Sequence, residues 1–131
     1  MRIAQTNIDN ANHYACTLKA GAHTLTADEP VKHGGTDTGP APYQLLLAGL
    51  AACTAITLRM VAEKKQWNVG TIHVDLEFHK DSAEHTGRIT RVVSFSEKLS
   101  DEAHARMVAV VEKTPVTLTL KAGTPITTTF S

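Results

Sequence analysis

The chain has 131 residues, the size of one domain able to bury a core of its own. Its 13 basic and 13 acidic side chains cancel, which excludes the one-signed surface that nucleic acid or an anionic membrane selects. Hydrophobic residues make up 42% and aromatics 5%, so an aliphatic core and a single domain over residues 1–131 are expected.

Residues 1–10 lack the apolar centre of a signal peptide. Tyr14 to Leu18 and His23 to Ala27 read as a β-hairpin around Lys19-Ala-Gly-Ala22, with Gly21 able to take positive φ. Asp28 to Pro42 is a Gly/Pro-rich loop, of the kind that carries function or forms an interface. An uncharged run follows from Thr38 to Leu58, 21 residues long, which raises the question of a membrane span. Gly39, Pro40 and Pro42 interrupt it and leave 16 residues, Tyr43 to Leu58. That length predicts a buried helix of a soluble protein.

Pro42 suits the first turn of this helix, where no N–H is needed, and polarity returning at Arg59 and Glu63-Lys-Lys-Gln66 predicts an end near Lys65. Its first four turns are apolar on every face and require cover from other elements or a second subunit. From 71 to 79, Ile72, Val74, Leu76 and Phe78 alternate with His73, Asp75, Glu77 and His79, the pattern of a strand with one wet face. Lys80 to Gly87 is a polar connection, and Arg88 to Lys98 reads as the returning strand with Ile89, Val93 and Phe95 inward.

Ser100 is an N-cap for a second helix burying Met107, Val110 and Val111. That helix stops before Thr114, because a residue preceding proline leaves the αR region. The tail Ile126 to Phe130 reads as a short strand. The order is ββ–α–ββ–α–β, an α+β domain with antiparallel sheets around a long central helix.

Several residues could carry chemistry, and each has a plainer reading. Cys53 lies three turns inside the apolar helix, where free cysteine is commonly a packing residue. A chemical role needs thiolate, and the helix dipole fades too near the terminus to supply it. A cation from elsewhere in the fold would be needed. His73, Asp75, Glu77 and His79 share one strand face; two of them could hold a divalent metal, or the face is simply solvated. His33 with Asp37 could be a base and its orienting carboxylate, or two polar loop residues. Cys16 reads as a half-buried strand residue. With 37 residues between them and no C-x-x-C spacing, Cys16 and Cys53 suit neither a disulfide scaffold nor a zinc site. Leu47 to Cys53 looks like a lipoprotein cleavage box but lies far too deep. A reducing cytoplasmic setting, with no metal and no cofactor, is the expectation.

The segment Gly34-Gly-Thr-Asp-Thr-Gly-Pro-Ala-Pro-Tyr-Gln-Leu-Leu-Leu-Ala-Gly-Leu-Ala-Ala-Cys-Thr54 resembles the signature of the OsmC/Ohr family, the osmotically inducible C and organic hydroperoxide resistance proteins. The resemblance extends to Asp28-Glu-Pro30, to Thr57-Leu-Arg-Met60 with Lys64, and to Lys113-Thr-Pro-Val116. It implies an intertwined homodimer with the long helices packed centrally and strands of both subunits forming the sheets. It also implies a thiol peroxidase in which Cys53 attacks the peroxide and a second cysteine condenses with the sulfenic acid. That second position is Thr114 here, and threonine cannot form a disulfide. The family's acidic position after the helix-starting proline corresponds to Tyr43, followed by Gln44. The activating arginine of the first hairpin is absent from residues 3–31, leaving Arg2, Lys19 or Lys32 to substitute, and Lys19, Lys32 or Arg91 of either subunit could approach the thiol.

Three functions follow from these residues. The first is a one-cysteine peroxidase reduced by an external thiol, with Cys16 a conceivable resolver. The second is a non-catalytic homodimer binding a small apolar ligand at its interface. The third is a binding module on the His-rich strand face.

Overall fold

A computed structural model describes residues 1–81 and 85–131. The chain divides into two compact units, Met1–Leu46 and Leu47–Ser131.

The first unit holds three antiparallel strands, β1 (Thr6–Asn12), β2 (Ala15–Ala20) and β3 (His23–Ala27), in the order β1-β2-β3. The hairpin read from the sequence is the β2–β3 pair, with Leu18 opposite Leu25 and Gly21 at φ 60° in its turn. β1 escapes the pattern reading because Thr-Asn-Ile-Asp-Asn-Ala-Asn is exposed throughout and has no alternating apolar face. Its backbone pairing with β2 alone makes it a strand.

Helix α1 (Pro42–Lys65) has the bounds its composition predicted. Gln44 closes its first turn, the side-chain Oε1 accepting from the Ala41 N–H at 2.9 Å, one half of a capping box. Among the residues of α1 only the stripe Leu50, Thr54, Leu58 and Ala62 is buried. Tyr43, Leu46, Ile56 and Met60 stay exposed, so one chain covers a single face of the helix that was expected to be buried all round.

In the second unit β4 (Ile72–Lys80) pairs antiparallel with β5 (Gly87–Phe95), with Ile72 opposite Phe95 and Phe78 opposite Ile89. The connection expected from Lys80 to Gly87 lies in part outside the described residues. Helix α2 (Asp101–Val111) is capped as predicted, Ser100 Oγ accepting from Ala103 N at 3.1 Å. The core gathers Leu58, Ala62, Val69 and Met107, with Trp67, Ile72, Val93 and Phe95 packed against it.

The C-terminal reading needs correction. A third helix, α3 (Pro115–Ala122), starts on proline at its first turn, although Val116, Thr117 and Thr119 are poor helix formers. Burial of Thr117 and the fixed φ of Pro115 outweigh that weak propensity. The segment 126–130 is no strand. A β-branched run becomes a strand only against another backbone, and among the described residues it pairs with none, leaving Ile126 and Phe130 89% and 97% exposed. The observed order is βββ–α–ββ–α–α.

Candidate functional site

The Gly/Pro loop of the first unit is organised around one carboxylate. Asp28 is buried, and its Oδ2 accepts from the hydroxyls of Thr36 (2.6 Å) and Thr38 (2.7 Å) and from both their N–H groups. Its Oδ1 accepts from Glu29 N at 2.7 Å. The Thr36 hydroxyl bond first, then the hydroxyl and N–H of Thr38, hold this carboxyl well below the ordinary carboxylate range, against the opposing effect of burial. The backbone closes around it, Asp28 N donating to Pro40 O and Asp37 N to Glu29 O, both at 3.1 Å. Thr36-Asp-Thr38 is thus a clamp that presents alternate hydroxyls to Asp28, while Asp37 turns outward at φ 54°.

Because the folded-state pKa of Asp28 is depressed, its stabilisation is complete above the unfolded carboxylate range and is lost as pH falls through the lower folded value. Asp28→Asn removes the charge and sets an amide N–H₂ against backbone donors. We expect a lower thermal midpoint than the parent at about pH 7, with the gap narrowing toward about pH 2. Circular dichroism melts at the two pH values check this; parallel curves would refute the assignment.

In the second unit Cys53 sits on α1, half-buried and free. Among the described residues its Sγ makes no hydrogen bond. Its neighbour Thr54 is fully buried and opens a polar network through the core. Thr54 Oγ1 donates to Leu50 O at 2.8 Å and accepts from Arg91 Nη1 at 2.9 Å. The same Nη1 donates to Thr117 Oγ1 at 2.9 Å, and Nη2 donates to Val111 O at 3.0 Å. Thr117 and Thr114 share a hydroxyl–hydroxyl bond, both side chains buried. Arg91 forms no salt bridge among the described residues. The nearby Glu112 carboxyl is lowered chiefly by its hydrogen bond and charge pairing with Lys121, and only weakly by the charge of Arg91.

Among the residues named from the sequence, Thr114 joins the network beside the Cys53 turn. Gln44 is occupied at the helix start, and Tyr43 is about half exposed. Arg2, Lys19 and Lys32 belong to the first unit. Cys16, opposite Ala27 on β2, donates its thiol to Tyr14 O at 3.5 Å and forms no disulfide. No hydrogen bond or ion pair joins His33 to Asp37 among the described residues. On β4, His79 Nε2 meets Glu77 Oε2 at 2.9 Å on an exposed face. No group of three His, Cys, Asp or Glu among the described residues is placed to hold a metal.

Arg91 was named from the sequence only as one of the cations that could approach the thiol, and Thr117 was not singled out. The signal for Arg91 lay in the alternation of β5, where a charge occupies the inward series Ile89, Arg91, Val93, Phe95. Thr117 had no comparable mark.

Antiparallel sheets with one long apolar helix carrying a free, half-buried thiol define a class of α+β protein. A family model described as OsmC-like protein matches residues 35–129. An uncharacterized protein of Haloferax volcanii is 27% identical over 109 residues, covering 82% of this chain and 79% of its own. The crystal structure of an OsmC-like protein from Mycoplasma pneumoniae superposes with a TM-score of 0.79 at 21% identity, over 92% of this chain and 88% of the other. The organic hydroperoxide resistance protein OhrB of Bacillus subtilis gives 0.61 at 24% identity, over 90% of each chain. The chain belongs to the OsmC-like family.

Proposed function

We propose that this protein is a one-cysteine thiol peroxidase that reduces organic or hydrogen peroxide in the cytoplasm as part of an oxidative-stress response. The observation that carries the reading is the free, half-buried thiol of Cys53 on α1, at the position where the family resemblance puts the reactive cysteine. The hydroperoxide resistance recorded in the name of the Bacillus subtilis relative points the same way.

In the first step the Cys53 thiolate attacks a peroxide oxygen. An S–O bond forms, the O–O bond breaks, and the leaving alkoxide or hydroxide takes a proton. Sulfur is oxidised by two electrons to sulfenic acid. Thr114 offers a hydroxyl tied to Thr117 rather than a thiol, so an external thiol resolves the intermediate. One such thiol condenses with the sulfenic acid, releasing water and forming a mixed disulfide. A second displaces Cys53 as thiolate and leaves as the oxidised disulfide. Steady-state consumption of an alkyl hydroperoxide with a small dithiol reductant tests this directly; no consumption above the reductant alone would sink it.

A second copy of the chain is the proposed cover for α1. Leu46, Ile56 and Met60 are 40%, 55% and 62% exposed on a helix whose first four turns carry no charge, an apolar surface of the kind that marks an interaction site. Sedimentation velocity is expected to give a dimer, and Ile56→Asp to shift it toward monomer; a monomeric parent at micromolar concentration would overturn the homodimer. The alternative function is a non-catalytic homodimer that holds a small apolar ligand at this surface. It draws support from Arg91, which donates to hydroxyls and a carbonyl rather than to Cys53.

A further inference from the structure

We infer that Arg91 is a positioning residue for Cys53, acting through Thr54 to set the rotation of α1 about its own axis. The inference deepens the peroxidase reading and rests on it for its catalytic consequence, but not for its geometry.

An amphipathic helix is held in one rotation by its apolar stripe. The first four turns of α1 have no such stripe, since Leu45, Leu46, Leu47, Leu50, Ala51, Ala52, Ala55 and Ile56 surround the axis. Within those turns burying one face costs nearly what burying another would, so the apolar packing that specifies the rotation comes from Leu58 and Ala62 farther along the helix, and the turn that carries Cys53 is specified weakly by apolar contacts alone. A buried polar contact can specify register where apolar contacts cannot. Thr54 supplies it: the side chain is fully buried, and its Oγ1 is held between Leu50 O and Arg91 Nη1.

The partner is itself fixed. Arg91 projects from the inward series of β5, and its other bonds, to Thr117 Oγ1 and Val111 O, anchor the guanidinium to α3 and the end of α2. A single torsion separates Thr54 Oγ1 from the backbone that continues directly from Cys53, so this bond locates the cysteine. Arg59 also ties α1, donating to Gly70 O, but it does so through a long flexible arm farther along the helix. Rotation by one residue would carry Cys53 from its half-buried place into the core or fully into the open.

The test uses Cys16→Ser as background, making Cys53 the sole thiol. Thr54→Val keeps shape and burial and removes the hydroxyl; Thr54→Ser restores it. In folded protein, verified by melting, Thr54→Val should change the second-order rate of Cys53 alkylation by a small iodoacetamide by about tenfold, because that rate follows the exposure of the thiol. Thr54→Ser should return the parental rate, and adding Arg91→Met to Thr54→Val should produce no further change. The kcat/KM for an alkyl hydroperoxide should fall in step. Parental alkylation by folded Thr54→Val overturns the inference, as does a further change on adding Arg91→Met. A parent inactive toward hydroperoxide defeats the peroxidase reading instead, and the alkylation rates still decide the positioning role.

Discussion

Replacing Cys53 by serine is expected to reduce hydroperoxide consumption by on the order of 10³-fold or more, to the background of the reductant alone. Serine is close in volume, so the helix and the Thr54–Arg91 bond beside it are retained and the melting curve should move little. What is lost is the only step that breaks the O–O bond, because a serine hydroxyl is neither ionised at neutral pH nor readily oxidised. Cys16→Ser is the companion measurement. Its thiol is directed to Tyr14 O in the turn between β1 and β2, and turnover should persist without it. A Cys53→Ser protein that still consumed peroxide, with the Cys16→Ser protein inactive, would exchange the roles of the two thiols. If neither substitution mattered, the apolar-ligand reading would stand in place of the enzyme.

Gly39→Ala and Gly35→Ala are expected to destabilise the protein by about 2–4 kcal/mol each, or to prevent folding. An alanine Cβ at Gly39 would lie 2.1 Å from Thr26 O, and one at Gly35 would lie 2.0 Å from Glu29 O. Both obstacles are backbone carbonyls, which no side-chain rotation can clear. Glu29 O also accepts from Asp37 N, so moving it opens the loop that encloses Asp28. Urea unfolding midpoints check the prediction, and a shift equivalent to under about 0.5 kcal/mol in both variants would show that the loop yields freely.

These two results would assign different work to adjacent parts of one sequence signature. Residues Gly35 to Gly39 serve a buried carboxylate and its clamp, whereas Cys53 alone offers a nucleophile.

Much of the fold was legible because its signals are local. The bounds of α1 follow from Pro42 and from the return of charge at Glu63-Lys-Lys65. The strict alternation of β4 marked the strand and its inward face, and Ser100 marked the start of α2. β1 was illegible because it is held by backbone pairing with no apolar face. α3 was illegible because its β-branched residues favour another conformation until Thr117 is buried.

The sequence by itself determined the helix, the place of the thiol on it, the alternation of the strands and the absence of a cysteine at position 114. Only the tertiary structure decided what meets the residue beside that thiol. Thr54, Arg91, Val111, Thr114 and Thr117 come together across separations of 20 to 37 residues from Arg91 to its direct partners. Periodicity reports which face of an element is buried, but not which hydroxyl on one buried face meets which donor on another. That pairing is set when α1, β5 and α3 pack, and it places a guanidinium one residue from Cys53.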